Sequence, residues 1–408
     1  MQATTIGFDI AKSSFQVHGA DDRGKTVLRK KLTRGRVLEF FANLPPCVIG
    51  MEACGSAHYW ARELIELGHE VRLMPPQYVK PYVKTNKHDP ADAEACCEAM
   101  QRPGMRFVPV KSEQQQSLLM LHRIRDRLIA ERTGTINAIR GHMAEFGIVA
   151  AQGGAGLKDL LAIVSDLEDE RLPPVARELL VDQAEHLRAI EARIADLDGR
   201  LVRQTRDDEA CRRLTEAPGV GPVIATAVVA TVGDASLFNS GRGFAASLGL
   251  TPRQHATGGK ERLLGISKRG DGYLRRQLMH GARSLVRVAK GRNGQPWAWI
   301  NELLARRPFN VVVAAVANKL ARIICAEPQR SLSCHGLIRS EHKHQRAIHH
   351  AQYRRELPRA ARAIFDAMAR RSDRGSAEPG RTTEPRARLD SREPTRESHR
   401  GQRALWPH

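Results

Sequence analysis

The sequence lacks the marks of a membrane, secreted or disulfide-stabilised protein. No unbroken run of about 18 apolar residues appears, which argues against a membrane span. The first residues lack the charged-then-apolar order of a secretory signal, so we expect a cytoplasmic protein. The seven cysteines include no C-x-x-C pair, and two of them, Cys96 and Cys97, are adjacent. This pattern fits a reducing compartment and argues against a structural zinc site.

Acidic residues are scarce in the second half of the chain. Residues 252–330 contain 16 Lys and Arg against 4 Asp and Glu, a net charge of +12. Residues 331–408 contain 17 against 9, a net of +8, so the whole excess of +20 lies beyond residue 251. A neutral front half joined to a cationic back half indicates a polyanionic partner, above all nucleic acid. The apolar fraction of 41% excludes global disorder.

The first part of the chain has the pattern of a mixed α/β sheet. The length of 408 residues predicts two or three domains. Residues 4–10 and 13–19 are typical of strands with a tight connection, and "KTVLRKKL" is typical of a third. Two later apolar runs, "PCVIGME" and "EVRLMP", alternate with helical patterns. We therefore expect a sheet with helices on its faces over residues 1–110.

Helical patterns dominate the rest. Over residues 111–208 apolar residues recur every three or four positions, which predicts long helices. This spacing leaves open a coiled coil, antiparallel or intermolecular, and an ordinary bundle within one chain. Residues 209–328 predict a helical domain whose "APGVGP" turn fits a phosphate-binding helix-hairpin-helix or a plain helical hairpin. Residues 329–408 are rich in Arg, Glu, Pro and Ser, which predicts disorder.

Four carboxylates stand out by their positions. Asp9 and Glu52 each end an apolar strand, where an unpaired carboxylate beside a core is costly. Asp89 and Asp92 lie three residues apart and share one face of a predicted helix. Taken singly, Asp89 is a reasonable helix cap and Asp92 a solvated helix residue. Taken together, the four predict hard oxygen ligands for Mg²⁺ of the kind used in phosphodiester chemistry.

Two blocks of the sequence are recognisable. The first is carried by "IGFDIAKSSFQVHGAD", "IGMEACGSAHYWARELIELGHEV" and "VKTNKHDPADAEA". The second runs from "LTEAPGVGPVIATAVVATVG" through "GLTPRQHATGGKERLLGISKRGDGYLRRQLMHGAR". In these blocks the chain resembles the insertion-sequence-110 family of transposases, and within it the insertion-sequence-1111 branch. Both blocks occur in the family's order and spacing, over roughly residues 4–325. Together they are specific, whereas either alone would be only suggestive.

This resemblance implies a fold, a chemistry and partners. It implies a RuvC-type, RNase H-like first domain with Asp9, Glu52, Asp89 and Asp92 as the metal-binding tetrad, and a helical second domain that supplies a nucleophilic serine. Enzymes of this family excise and insert a mobile element through a covalent protein–DNA intermediate. They are guided by a structured RNA encoded by the element and act as dimers that pair into tetramers.

The nucleophile is the point at which this chain departs from the family. The family's serine follows the "GLTPR" segment and precedes a glycine, a position that Thr257 occupies here. A threonine hydroxyl can attack phosphorus when a base or metal activates it, although its methyl group restricts χ1. Three interpretations stay open: Thr257 attacks, Ser267 or another hydroxyl does so, or the chain is a degenerate transposase that binds nucleic acid without catalysis.

The cationic segment around Thr257 predicts contacts with DNA or RNA phosphates, which would make binding salt-dependent. A solvated basic face is the alternative. Trp297 and Trp299 fit either base stacking or packing inside the helical domain, and the sequence favours packing. The candidate phosphate ligands are Arg253, Lys260, Arg262, Lys268, Arg269, Arg275 and Arg276.

The leading hypothesis is a Mg²⁺-dependent DNA recombinase of transposition. A resolvase-like nuclease would use the same acids with water as the nucleophile. A remnant transposase would bind nucleic acid without cleaving it. A purely structural coiled-coil protein is disfavoured, because it explains neither the acids at strand ends nor the segregated charge.

Overall fold

The amino-terminal region is a five-stranded mixed sheet with helices on both faces. The structure, a computed structural model, describes residues 3–84, 89–233, 238–292, 294 and 297–333. The strand order is β3-β2-β1-β4-β5; β1 pairs with β2 and β2 with β3 antiparallel, whereas β1 with β4 and β4 with β5 are parallel. The strands are Thr5–Asp9 (β1), Ser14–Ala20 (β2), Thr26–Thr33 (β3), Val48–Glu52 (β4) and Glu70–Met74 (β5). The helices are Val37–Ala42 (α1), Ala57–Glu66 (α2), Pro76–Val79 (α3) and Asp89–Met100 (α4). The expected mixed α/β sheet is confirmed.

The two faces of this sheet are packed differently. On one face, Phe8, Phe15 and Trp60 form an aromatic core with α1 and α2, and the Phe15 and Trp60 rings lie 5.1 Å apart. On the other face α4 lies directly on β1 and β4. A Cβ atom at Gly7 would lie 1.9 Å from the carbonyl oxygen of Ala93. Glycine in β1 therefore allows the close approach of α4 to the sheet.

The middle of the chain, which we call the stalk (residues 113–207), is an antiparallel pair of long helices with a shorter helix between them in sequence. It consists of Glu113–Ala144 (α5), Gly154–Ser165 (α6) and Pro174–Asp207 (α7). A capping box formed by Ser112 and Gln115 starts α5. Leu128 packs with Ile190 and Ile194 near the middle of the two long helices, while Ile139 and Met143 cluster with Leu180 and Leu187 near the end where α5 finishes and α7 begins. The apolar spacing left open a coiled coil, antiparallel or intermolecular, and a bundle within one chain. In the described residues α5 packs antiparallel against α7 of the same chain.

The carboxyl-terminal part of the described chain is a helical body with a β-hairpin. Its helices are Glu209–Thr215 (α8), Pro222–Val232 (α9), Gly241–Ser247 (α10), Gly272–Ala289 (α11), Trp297–Arg306 (α12) and Phe309–Ser333 (α13). Trp297 is buried in its core and Trp299 packs against that core, which confirms the packing interpretation of both tryptophans. The hairpin consists of Pro252–Thr257 (β6) and Lys260–Ile266 (β7) and was not predicted from the sequence.

The predicted turn between α8 and α9 is present and packs inside the protein. Gly219 has φ +82°, and a Cβ atom there would meet the Leu285 side chain at 2.8 Å. A Cβ atom at Gly281 of α11 would lie 2.2 Å from the carbonyl oxygen of Gly219. This conformation and close packing account for the Gly219 glycine without a phosphate ligand, as in a plain helical hairpin.

A buried polar junction joins the stalk to the helical body. The Nδ1 atom of His122 lies 2.9 Å from the Tyr273 hydroxyl, and its Nε2 atom lies 3.1 Å from the Thr226 hydroxyl. His122 is only 1% exposed, and burial lowers its pKa to about 4. Three helices (α5, α9 and α11) are therefore tied through one neutral imidazole.

One described helix is long and apolar enough to cross a membrane by length and composition alone, although polar residues interrupt its apolar sequence. Residues Phe309–Ala326 have a mean hydropathy of 1.6, and 44% of that window is buried inside the protein. The buried side chains belong to the core of the helical body, and core helices of this kind meet the same criterion. The disorder predicted for residues 329–408 falls almost entirely outside the described residues.

Candidate active site at the sheet edge

The backbone brings Asp9 and Glu52 to one edge of the sheet. Each is the last residue of its strand, and the strands are parallel neighbours. The register pairs Gly7 with Gly50, so Asp9 and Glu52 follow at the same level. Because side chains alternate across a strand, both acids lie on the face that carries α4.

The first turn of α4 brings the other two acids to this edge. Helix α4 begins at Asp89, and Asp89 and Asp92 both lie in its first turn. Asp89 is exposed and Asp92 is half-buried. A Cβ atom at Gly50 would lie 2.6 Å from the Met100 sulfur, so β4 as well as β1 carries a glycine beneath α4. These glycines let the middle and the carboxyl end of α4 lie directly on β1 and β4.

The electrostatics of Asp9 show that the four carboxylates form one cluster. Its pKa is raised from 3.8 to about 6, first by burial and then by Asp92, Asp89 and Glu52. Burial also raises the pKa of the Cys96 thiol on α4, with Glu52 and Asp9 adding to the effect. The sequence-predicted tetrad is therefore a half-buried concentration of negative charge.

These residues fit a divalent cation by their chemistry. Four carboxylates provide hard oxygen donors, and a cation would relieve the repulsion that raises the pKa of Asp9. Within the part of the chain that the structure describes, no three His, Cys, Asp or Glu side chains stand close enough together to hold an ion as they are placed. The four acids are therefore within electrostatic range of one another rather than in a closed ligand shell.

The loop after Glu52 is strained. Ser56 has φ +67°, in the left-handed region that non-glycine residues seldom occupy. The backbone N–H of Ala53 donates to the Met74 carbonyl at 2.8 Å, and that of Cys54 donates to the Glu52 carbonyl at 2.9 Å. This conformation could not be predicted from the sequence, since no glycine or asparagine marks position 56.

Thr257 lies on the hairpin, which is a sheet separate from the one that carries Asp9 and Glu52. It is the last residue of β6, pairs with Lys260, and is exposed like the rest of that strand. Ser267 follows β7, where its backbone N–H donates to the Thr251 carbonyl at 2.8 Å.

The cations predicted to contact phosphate divide into two groups. Arg275 donates to the Leu248 and Arg269 carbonyls at 3.0 and 3.1 Å, and Arg276 pairs with Asp126 of α5. These two arginines therefore also hold the fold together. The remaining candidates are exposed on the hairpin and on the loop that follows it: Arg253, Lys260, Arg262, Lys268 and Arg269.

Comparisons with known proteins define the class. Residues 6–148 match a family model described as a transposase, the DEDD type of IS110, and residues 211–296 match one described as "Transposase IS116/IS110/IS902 family". The acidic cluster lies in the first match and the hairpin in the second. The fold and site thus belong to a transposase.

Three relatives agree. A probable family 20 transposase of Pseudomonas aeruginosa is 52% identical over 80% of this chain and 97% of its own length. The transposase of element IS1328 from Yersinia enterocolitica is 42% identical over 78% and 95%, respectively. That of IS1111A from Coxiella burnetii is 40% identical over 79% and 88%. The chain belongs to the IS110 family of insertion-sequence transposases, as its resemblance predicted.

Proposed function

We propose that this transposase excises and inserts its element by metal-assisted phosphodiester strand exchange at the cluster of Asp9, Glu52, Asp89 and Asp92. The observation that carries the proposal is the placement of Asp9 and Glu52 at the register-matched ends of two parallel strands, with Asp89 and Asp92 in the first turn of the helix packed on them. The pKa of Asp9, raised by burial and then by the other three carboxylates, agrees with it. Carboxylates are concentrated in this way where they share cations, and family membership supplies the DNA substrate.

The four acids would hold Mg²⁺, with Asp9 and Glu52 fixed by the sheet and Asp89 and Asp92 fixed by α4. When bound, the ion supplies charge stabilisation at phosphate oxygens and activation of the attacking oxygen. Strands and a packed helix hold the ligands more rigidly than a loop would. The glycines beneath α4 let that helix lie directly on the two strands that end in Asp9 and Glu52.

Thr257 is the proposed source of the attacking hydroxyl. Its exposure at the tip of a hairpin leaves it accessible to a DNA strand, and Lys260 and Arg262 lie beside it on β7. In this proposal the hydroxyl attacks phosphorus, the bridging P–O bond breaks, and the departing DNA oxygen takes a proton, which leaves DNA esterified to Thr257. Ser267 is the alternative hydroxyl.

Fold and partners complete the proposal. We assign an RNase H-like, RuvC-type domain to residues 1–110, a long-helix linker to 111–208 and a helical transposase domain to 209–328. The basic remainder, 329–408, follows. Family membership supports a structured RNA guide, dimers that pair into tetramers, and action on DNA in the cytoplasm.

Replacement of single acids tests the metal-site assignment. Asp9→Asn and Asp92→Asn should each lower Mg²⁺-dependent DNA cleavage by roughly 100-fold or more, because even outer-shell partners of a metal cost 10–100-fold. Glu39→Gln, a change to an exposed acid on α1, is the matched control and should leave cleavage unchanged. Cleavage that survives in both Asp variants would refute the assignment.

A second candidate function is a resolvase-like nuclease that uses water as the nucleophile. It needs only the four carboxylates, and it is favoured by the placement of Thr257 on the two-stranded sheet rather than on the sheet that carries Asp9 and Glu52. This function predicts free DNA ends and no protein–DNA adduct.

A further inference from the structure

A row of side chains leads from the acidic cluster to the edge of the sheet. Asp9 of β1 is the cross-strand partner of Gln16 in β2, and Gln16 is the partner of Lys31 in β3. Paired residues point to the same face of a sheet, so all three side chains lie on the face that carries α4. With strands about 4.8 Å apart, Lys31 begins about 10 Å from Asp9.

A cavity occupies this part of the sheet surface. Its volume is about 310 Å³, and it lies between β2, β3 and the start of α4. Gln16 and His18 form its buried floor, with exposed fractions of only 9% and 6%. Pro90, which stands between Asp89 and Asp92, forms part of its wall, so the cavity adjoins the proposed active site. The residues that line it are Gln16, Val17, His18, Arg29, Lys30, Lys31, Pro90 and Glu94.

The charge in this cavity is positive on balance. Glu94 is its one acidic lining residue, and Lys84 donates to Glu94 at 3.1 Å while Arg29 lies 3.9 Å away. The Nε2 atom of His18 lies 3.3 Å from the Thr26 hydroxyl, and burial lowers the pKa of that imidazole. Lys84 is shared between Glu94 and Glu98, and Arg29 is a second, more distant partner of Glu94. Arg29 and Lys31 are both exposed at the rim, so their charged groups can also pair with an external anion.

We propose that Arg29 and Lys31 bind the phosphodiester backbone of the DNA strand that enters the acidic cluster, with Gln16 beneath it. This inference rests on the proposed function, since it takes the cluster as the place where a phosphate reacts. At about 3.4 Å of helix axis per phosphate on one strand, 10 Å spans roughly three nucleotides. The two cations therefore contact phosphates about three nucleotides from the reacting one. They fix the direction of the strand across β1, β2 and β3.

The alternative role for these charges is protection of an edge strand. Edge strands commonly carry Lys and Arg, which prevent pairing with other chains. Lys30 separates the two explanations. It also borders the cavity, but its side chain points to the opposite face, where its Nζ atom lies 4.8 Å from the centre of the Phe40 ring. Edge protection would make Lys30 and Lys31 equivalent, whereas DNA binding requires only the α4 face.

The test measures binding of full-length protein to a short duplex DNA in metal-free buffer over a range of salt concentrations. The double change Arg29→Gln with Lys31→Gln should reduce the slope of log affinity against log salt by about 2, since each phosphate contact contributes about 0.9. Lys30→Gln is the matched control and should leave the slope unchanged. An unchanged slope in the double variant, or an equal change in the control, overturns the proposal.

Cross-linking shows which face of β3 contacts the DNA. In a Cys54→Ser background, which removes an exposed thiol, a photoreactive group is attached to Lys31→Cys or to Lys30→Cys. Lys31→Cys should cross-link to the duplex several-fold more than Lys30→Cys. A hairpin RNA serves as the second probe, and cross-linking to RNA alone contradicts the proposal. Neither experiment needs catalysis, so loss of cleavage in Asp9→Asn and failure of this inference are separate results.

Discussion

Asp9 shows how a single residue can be destabilising in its resting state and required for function. Burial and three neighbouring carboxylates raise its pKa to about 6, so it is ionised at pH 7.5 against the preference of the fold. Because the folded state binds the proton more tightly than the unfolded state, metal-free protein gains stability as the pH falls from about 6 towards 4. Active-site residues commonly make an unfavourable contribution of this kind to the free energy of folding.

The first prediction concerns the stability of Asp9→Asn at pH 7.5 without metal. Removing the charge should increase the free energy of unfolding by on the order of 1 kcal/mol, a figure discounted because Asp9 is partly exposed. Thermal melts with and without Mg²⁺ measure this. Mg²⁺ should stabilise the wild type and have little effect on the variant. A variant that is less stable than wild type in metal-free buffer contradicts the account.

His122 supplies a second prediction at this scale. Its pKa falls from 6.5 to about 4 on folding, so the unfolded state binds the proton more tightly between these values. The stability associated with neutral His122 is therefore complete above pH 6.5 and is lost as the pH falls towards 4, by roughly 2–3 kcal/mol in all. Urea unfolding at pH 7 and pH 5 measures the loss.

His122→Asn is the control, since it cannot titrate. The variant should be less stable at pH 7 but should change less than wild type between pH 7 and pH 5. The pKa of His58 is also lowered to about 4, but His58 is present in both proteins and cancels in the difference. Equal changes in the two proteins would show that His122 is not the titrating group.

Among the elements, α4 depends most on two glycines. At Gly7 an added methyl group would lie 2.5 Å from the Cys97 nitrogen as well as 1.9 Å from the Ala93 oxygen. Gly7→Ala should therefore displace α4, cost about 1–3 kcal/mol or more, and reduce cleavage, because Asp89 and Asp92 move with the helix.

Gly134→Ala is the matched change for comparison. Gly134 is exposed within α5 with open space around it, so the substitution should add up to about 1 kcal/mol of stability and leave cleavage intact. Chemical denaturation and the cleavage assay measure both. Wild-type cleavage by Gly7→Ala would show that the packing of α4 on the sheet does not set the site.

The hairpin of β6 and β7 supplies a further prediction. Gly258 and Gly259 have φ of +57° and +76°, as the two central residues of a type I′ turn require. Gly258→Asn should be tolerated, because asparagine adopts this conformation. Gly259→Val should disrupt the hairpin and abolish formation of the protein–DNA adduct while changing the melting temperature little, since the strands are exposed. A large fall in melting temperature would show that the hairpin supports the body.

Sequence reasoning succeeded for this chain where local pattern determines the element. The strands of the sheet, the start of α4 near Asp89 and the packing of Trp297 follow from apolar spacing and strand ends. The hairpin was missed because its strands are exposed along almost their whole length, so no buried face marks them. The Gly258–Gly259 pair was the available signal. The pairing of α5 with α7 could not be predicted, since the same apolar spacing serves intramolecular and intermolecular contacts.

The raised pKa of Asp9 could not be predicted from sequence either. It depends on the close packing of α4, which only the folded chain displays. The placement of Thr257 on an exposed hairpin separate from the five-stranded sheet is likewise a property of the fold.

Over the whole molecule, the first 251 residues are neutral and contain the acidic cluster, whereas the whole cationic excess lies beyond them. The described part places the acidic cluster on the sheet and most of the cationic excess on the helical body, with the stalk between them. The central claim is that DNA bound by the cations reacts at the cluster with a hydroxyl of this chain.

The most direct test incubates the wild type, Asp9→Asn, Thr257→Ala and Thr257→Ser with DNA of the element's ends, its RNA and Mg²⁺, followed by a denaturing gel. The account predicts a covalent protein–DNA adduct with wild type and with Thr257→Ser, and none with Asp9→Asn or Thr257→Ala. A full yield of adduct from Thr257→Ala, or cleavage to free ends without any adduct, would contradict it.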